Sequence, residues 1–312
     1  MLDFKRYQEK RQYYIGAIDR KIDQILQQGA VDPNSRKVVD ATRYVIMGGS
    51  DRLRPLLVFA VAEYFGLRAE NFLNFAVATE FLHTNYIIYD DLPGIDDTDT
   101  RYGRPSVHRR YGIGIALLAA QYCLFEAVNL AFDEAYISKK HLAAARQLAK
   151  AVGFEGMIGG QCIDLTQTLP PYESGFKVTQ DSREEYFKTL MLMIQKKTVS
   201  LLTSSMLIPA TMADAKMEDF VALTRLGQRL GIVEYVKDDI VDADADRYAS
   251  YSSEYSKLTI IRLFGRKNAM IYFNSMSKQV RDTCKELDNT DGKADFLFAL
   301  IEDVLSTKDL ES

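Results

Sequence analysis

Tryptophan is absent from this 312-residue chain, and cysteine (3), histidine (3) and proline (7) are sparse. Each shortage narrows what the chain can be. Cys123, Cys162 and Cys284 lie far apart with no CxxC pair, so neither a disulfide framework nor a zinc site is indicated. Few prolines and no Gly/Ser-rich run leave nothing that reads as a linker, and one domain over residues 1–312 is expected. Surplus positive charge is also missing: a net charge of −4 speaks against a nucleic-acid partner. No apolar run reaches the roughly 18 residues of a spanning helix. The best, 115–132, is interrupted by Gln121, Glu126 and Asn129, so no membrane span is expected. The start, MLDFKRYQEKRQYY, is charged and has no signal-peptide core. A cytoplasmic protein is the expectation.

Strand-like alternation is nearly absent as well, and helical periodicity runs from end to end. A hydrophobic content of 47% is enough for a large core. Residues 3–28 predict an amphipathic helix with Ile15, Ile18, Ile22 and Ile25 on one stripe. A helix over 36–47 stops at Gly48-Gly49, and 53–65 (LRPLLVFAVAEYF) is apolar all round and therefore buried. Further helices are expected near 70–91, 112–134, 139–160, 181–208, 217–240, 254–264, 266–286 and 291–306. The stretch 166–180 is the clear irregular segment. The architecture this predicts is all-α, one helical bundle around a central cavity.

Against that background residues 80–108 stand out: EFLHTNYIIYDDLPGIDDTDTRYGRPSVH. Asp90, Asp91 and Asp96 are followed at once by Asp97 and Asp99, a cluster that costs repulsion unless cations neutralise it. Phe75, Ala76, Thr79, Leu82, His83, Tyr86 and Asp90 recur at three- and four-residue steps. The acids therefore stand at the C-terminal end of an apolar helix, which Pro93-Gly94 breaks. Arg101 and Arg104 follow. Carboxylates, arginines and an apolar wall describe a site for a hydrophobic molecule carrying phosphate, with a hard cation between. A second cluster, Asp238-Asp239-Ile240-Val241-Asp242, puts Asp238 and Asp242 on one helix face. Either cluster alone suits a solvated helix end; two on apolar helices argue for cationic partners.

The motifs resemble those of the trans-isoprenyl diphosphate synthases, nearest the short-chain bacterial farnesyl/geranylgeranyl type. DDLPGIDDTDTRYGRPSVH is similar to that family's first aspartate-rich motif and DDIVD to its second. GSDRLRPLL, GMIGGQCIDL, KKTVSLL and YSKLTIIRLFG are similar to its GKRLRP, GGQxxDL, KTGxLL and K-x-T segments, in the family's order over about residues 40–265. The resemblance implies an isoprenoid-synthase bundle whose two acidic motifs face each other across the cavity. They would hold magnesium, three ions once diphosphate is bound, on an allylic prenyl diphosphate. It further implies Asp90, Asp96 and Asp238 as metal ligands, supported by Asp91, Asp239 and Asp242. Arg101, Lys197 and Lys257 match positions that hold the allylic diphosphate. Gln161, Asp164 and Thr198 match polar positions near the reacting carbon. A homodimer is implied by resemblance only. The plain alternatives are a solvated helix face for Lys197, which follows Lys196, and a core histidine for His83.

The second-substrate pocket departs from the family. The lysine of GKRLRP is Asp51, the second arginine of the RRG segment is Tyr102, and the Phe-Gln pair before the second motif is Glu234-Tyr235. Arg52, Arg54 and His83 remain. Lysine to aspartate turns an attraction into a repulsion; at an effective dielectric near 20, one charge pair at ~4 Å is worth about 4 kcal/mol. The gentler reading is that Ser50 or Asp51 caps the 53–65 helix while Arg52 takes over the diphosphate. The charge argument favours terpene-synthase-like conversion of one allylic diphosphate, without isopentenyl diphosphate. The alternatives are ordinary chain elongation, transfer to a less anionic acceptor, and a regulatory subunit of a heteromeric synthase. Tyr86, one helical turn before Asp90, is placed to limit chain length within C10 to C20, with Asn85 beside it.

Overall fold

The computed structural model describes residues 3–29, 32–169, 178–244, 257–287 and 291–307. Among them almost everything is helix: α1 (Phe4–Gly29), α2 (Arg36–Ile46), α3 (Leu53–Tyr64), α4 (Leu73–Asp90), α5 (Val107–Tyr111), α6 (Ile113–Ala135), α7 (Lys139–Val152), α8 (Met157–Thr166), α9 (Gln180–Ile194), α10 (Ser200–Met212), α11 (Met217–Asp244), α12 (Ile260–Phe264), α13 (Arg266–Cys284) and α14 (Asp295–Val304). A two-stranded ribbon, β1 (Thr100–Arg101) and β2 (Arg104–Pro105), pairs antiparallel with Arg101 opposite Arg104. The predicted fold class, all-α, is what the chain adopts.

The described residues form two compact units. Unit 1 comprises Met1–Leu148 and Ile208–Asp214; unit 2 comprises Ala149–Leu207 and Ala215–Ser312.

In unit 1, α3 lies at the centre because its sequence leaves no polar stripe: every residue but Glu63 is buried. α1 lays Tyr7, Tyr14, Ile18, Ile22 and Leu26 inward, a stripe that keeps Ile18 and Ile22 of the expected set. α4 and α6 pack along each other, with Asn85 of α4 donating to the Ala120 carbonyl of α6 at 2.7 Å. α6 runs beyond the 115–132 window on both sides, and over Ile113–Ala135 it is long and apolar enough to cross a bilayer. That differs from the expectation. One side of it, with Ala116, Ala119, Ala120, Cys123 and Ala127, is buried, and 39% of its apolar window is buried in all.

Unit 2 departs from the predicted elements in three places, one being the helix expected over 254–264, where the described residues 257–259 are not helical and α12 begins at Ile260. The helix expected over 139–160 breaks after Val152 and restarts at Met157. The one expected over 181–208 contains a π-turn, Gln195–Val199, between α9 and α10, and continues past Pro209 to Met212. Two glycines explain the π-turn's surroundings. A Cβ on Gly160 of α8 would lie 2.8 Å from Lys197 Cβ, and one on Gly231 of α11 would lie 2.8 Å from Val199 Cγ2. Both distances are shorter than real carbon contacts, so only glycine lets α8 and α11 seat against the turn. Such turns occur within helices chiefly at functional positions.

Candidate active site

In unit 1 the acidic motif starts where α4 ends. Asp90 is the last helical residue, and the chain folds back at once: the Asp96 N–H donates to the Asp90 carbonyl at 3.0 Å, and the Asp97 N–H to Leu92 at 3.1 Å. The loop thus brings the two proposed ligand residues to one end of α4. Asp91 has another task. It is buried and takes a forked pair from Arg101, with Nη2 at 2.6 Å and Nε at 3.1 Å. Burial raises its carboxyl, and Arg101 works against that rise. The expected metal-supporting acid and the expected diphosphate-binding arginine are therefore partners of each other.

The residues assigned to the second substrate divide in the same way. Arg52 sits in the left-handed region at φ 61° and is buried. Its guanidinium holds Glu80 at 2.6 Å and Asp19 at 2.8 Å. Both lone charges on otherwise apolar faces are thereby matched, and a single buried acid such as Glu80 is the signal from which this partnership was legible. Asp51 is exposed, and its carboxylate accepts the Leu53 N–H at 3.0 Å, capping α3. Asp51 thus takes up the first N–H of α3, as the gentler reading had it in part, but the N-cap residue is Arg52, which is engaged elsewhere.

Tyr102, also left-handed at φ 53°, lies against Gly49. Burial, followed by the Glu80 charge, pushes its hydroxyl up to about 12. His83 is held well below its ordinary value by desolvation, then by Arg54, Arg101 and Arg52. It is the neutral member of a cationic group. Arg54 is buried in the first turn of α3. Tyr86 is half-buried on α4, one turn from Asp90. Asn85, committed to Ala120, belongs to the α4–α6 seam rather than to a free wall.

In unit 2, Asp164 on α8 is buried and faces Lys197 of the π-turn at 2.6 Å and Lys257 at 3.6 Å. Burial alone would raise its carboxyl, but Lys197 and then Lys257 overcome this and bring it down to about 2. Thr198 and Gln161 are half-buried next to these positions in the sequence. On α11, Asp238 is exposed and Asp239 is buried. The Asp239 carboxylate accepts the Ile260 N–H at 2.9 Å and so fixes the start of α12, three residues beyond Lys257. Glu234 and Tyr235 are half-buried on α11. Asp242 belongs to the same helix, its side chain outside the described residues.

Among the described residues no three His, Cys, Asp or Glu side chains already form a metal cage. The acids of unit 1 still suit a hard dication in their chemistry, because Asp90 and Asp96 offer carboxylate oxygen, and magnesium commonly takes one or two carboxylates plus substrate phosphate.

The all-helical architecture is that of the isoprenoid synthase fold. Solved structures agree. An FPP/GFPP synthase from Zymomonas mobilis matches with TM-score 0.76 and 26% identity, over 95% of this chain and 99% of that one. A geranyltransferase from Legionella pneumophila matches in fold with TM-score 0.80 over 99% of both chains, at 21% identity. Residues 35–252 match the polyprenyl synthetase family model, and the chain belongs to that family. Among similar proteins, farnesyl diphosphate synthase of Bacillus subtilis is 32% identical over 204 residues, 64% of each chain. Geranylgeranyl pyrophosphate synthase 12, chloroplastic, of Arabidopsis thaliana is 31% identical over 237 residues, 73% of this chain and 63% of that one. The matched region thus spans just under two thirds of these relatives' lengths.

Proposed function

We propose that the chain is a magnesium-dependent prenyltransferase that ionises an allylic prenyl diphosphate of C10 to C20 and extends it with isopentenyl diphosphate. The observation that carries this reading is the loop closed between Asp90 and Asp96 at the end of apolar α4, in a chain whose relatives are named as prenyl diphosphate synthases. Asp90 and Asp96 would hold magnesium, and Asp238 and Asp242 offer carboxylates of the same chemistry. Magnesium, when bound, supplies the Lewis-acid charge that lets diphosphate leave without a proton transfer. Lys197 and Lys257 supply ammonium groups for the anion. Leu82, Ile87 and Ile88 are buried along α4, and an apolar wall of this kind would limit capture of a cation by water.

The one-substrate, cyclase-like outcome is the weaker reading. The relatives' names favour elongation. The repulsion argument also assumed that Asp51 aims at the second diphosphate, whereas an exposed carboxylate committed to a helix cap acts through high dielectric and is screened. Arg54 and the protonated Tyr102 hydroxyl lie in that neighbourhood. A homodimer fits the exposed apolar side chains of α6, Leu118, Phe125 and Phe132; light scattering on the purified protein gives the mass.

The test is incubation with magnesium and geranyl or farnesyl diphosphate, with and without isopentenyl diphosphate. A longer diphosphate formed only when both substrates are present is the expected result. A hydrocarbon or alcohol released at full rate from the allylic substrate alone would overturn it.

A further inference from the structure

Lys197 and Lys257 come from separate segments of unit 2, yet their ammonium groups share one oxygen. Asp164 Oδ2 accepts from Lys197 Nζ at 2.6 Å and stands 3.6 Å from Lys257 Nζ. The Asp164 side chain is 4% exposed, and those of the two lysines are 10% and 25% exposed. Each member is held from behind. Gly160 seats α8 against the Lys197 backbone, which sets Asp164, one turn further on, opposite the lysine. Asp239 holds the Ile260 N–H, and the Thr259 hydroxyl caps α12 by accepting the Arg262 N–H at 3.2 Å. Those two bonds fix the segment that carries Lys257.

We propose that Asp164 is a positioning residue for the allylic diphosphate: it gathers two lysines on one oxygen and holds both ammonium groups aimed at a single anionic group. This rests on the prenyltransferase reading, because an anionic substrate is what gives two gathered ammonium groups a use. Asp164 itself does not touch the substrate.

Two physical effects of removing Asp164 have opposite signs. By charge counting the carboxylate is a liability, since its loss makes the surroundings more positive and should tighten anion binding. By geometry it is an asset. Without it the two like charges repel, and both four-carbon stems regain the rotamer freedom that binding would then have to remove. Ordering two such side chains costs enough to weaken binding about tenfold or more. The sign of the measured change therefore decides the matter.

The experiment is calorimetric titration of the intact protein with inorganic pyrophosphate and magnesium, together with steady-state kinetics, on wild type, Asp164→Asn and Asp164→Glu. With the Asn variant, pyrophosphate affinity should fall and KM for the allylic diphosphate should rise, each about tenfold. KM for isopentenyl diphosphate should stay within about twofold, and the Glu variant should recover part of the loss. Equal or tighter pyrophosphate binding by a folded Asn variant would overturn the proposal. Should wild type bind pyrophosphate yet transfer no prenyl group, the prenyltransferase reading fails while calorimetry still decides the role of Asp164. Where the Asn variant does not fold, ammonium NMR of the wild type serves instead, with Lys197→Met and Lys257→Met as assignments. Both resonances should move when pyrophosphate is added, and two insensitive resonances would overturn the proposal.

Discussion

The buried ion pairs at the site positions of units 1 and 2 are arranged in opposite ways. In unit 1 Arg52 is matched by Glu80 and Asp19, and Arg101 by Asp91. Each arginine is a rigid fork locked by acids of its own. In unit 2 a single acid, Asp164, serves two flexible lysines. The contrast teaches that buried ion pairs of similar length do different things. Forked arginine pairs fix backbone, here the left-handed entry to α3 and the ribbon after the acidic loop. A shared acid beneath two lysine stems presets a binding group.

The largest test addresses the acids that lie outside both arrangements. Asp90→Asn or Asp96→Asn, like chelation of magnesium, should lower kcat by about a thousandfold or more, the scale of a lost Lewis-acid contribution. Thermal midpoints should barely move, and steady-state assays with and without EDTA check both statements. Next comes stability. Arg52→Met leaves Glu80 buried without its partner and should cost roughly 3–5 kcal/mol in urea unfolding. Replacing Glu80 by Leu in the same chain should regain much of that loss. Lys257→Met, a quarter exposed, should cost under about 1 kcal/mol. If the two lysine and arginine variants are equally destabilised, the contrast between the units disappears.

A smaller effect is expected at the second-substrate positions. Asp51→Lys combined with Tyr102→Arg should lower KM for isopentenyl diphosphate by about fivefold or less, the scale of an exposed, screened charge contact. An unchanged KM would remove both residues from that site. Tyr86→Ala should admit a longer allylic chain, read as a shift in product length by chromatography. The smallest effect concerns His83. Its neutral form is favoured in the folded state, while the unfolded chain takes up a proton below about pH 6.5. Stability should therefore be full above that value and decline as pH falls from 7.5 to 5.5. His83→Gln should flatten the decline in urea midpoints measured at those two pH values.

Much of this was legible from residue spacing. The apolar helix ending at Asp90 and the fully buried α3 both follow from periodicity. The structure has both, and the kinship, carried by the resemblance of the motifs, is shown by the family match. Partnerships were less legible. Periodicity tells which face a residue occupies but not which side chain meets it, so Arg52 was read as substrate-facing when Glu80 and Asp19 hold it. Asp51 was weighed as a repelling charge when it closes a helix end, a local bond that pattern cannot distinguish from exposure. The break after Val152 and the π-turn at Gln195–Val199 were missed for a different reason. Each lies inside an apolar pattern that continues unbroken through it, and a one-residue change of winding leaves no compositional mark.

That extra residue has a consequence for how the chain tolerates insertion and loss. Deleting one position between Gln195 and Val199 would let the segment relax into ordinary α-helix, a change cheap for the backbone itself. The helices on either side would keep their facing, because the wider turn already absorbs the additional residue, but the side chains within the turn would change direction and Lys197 would leave its seat beside Gly160. Point changes in this turn should be far better borne than a shift in its length.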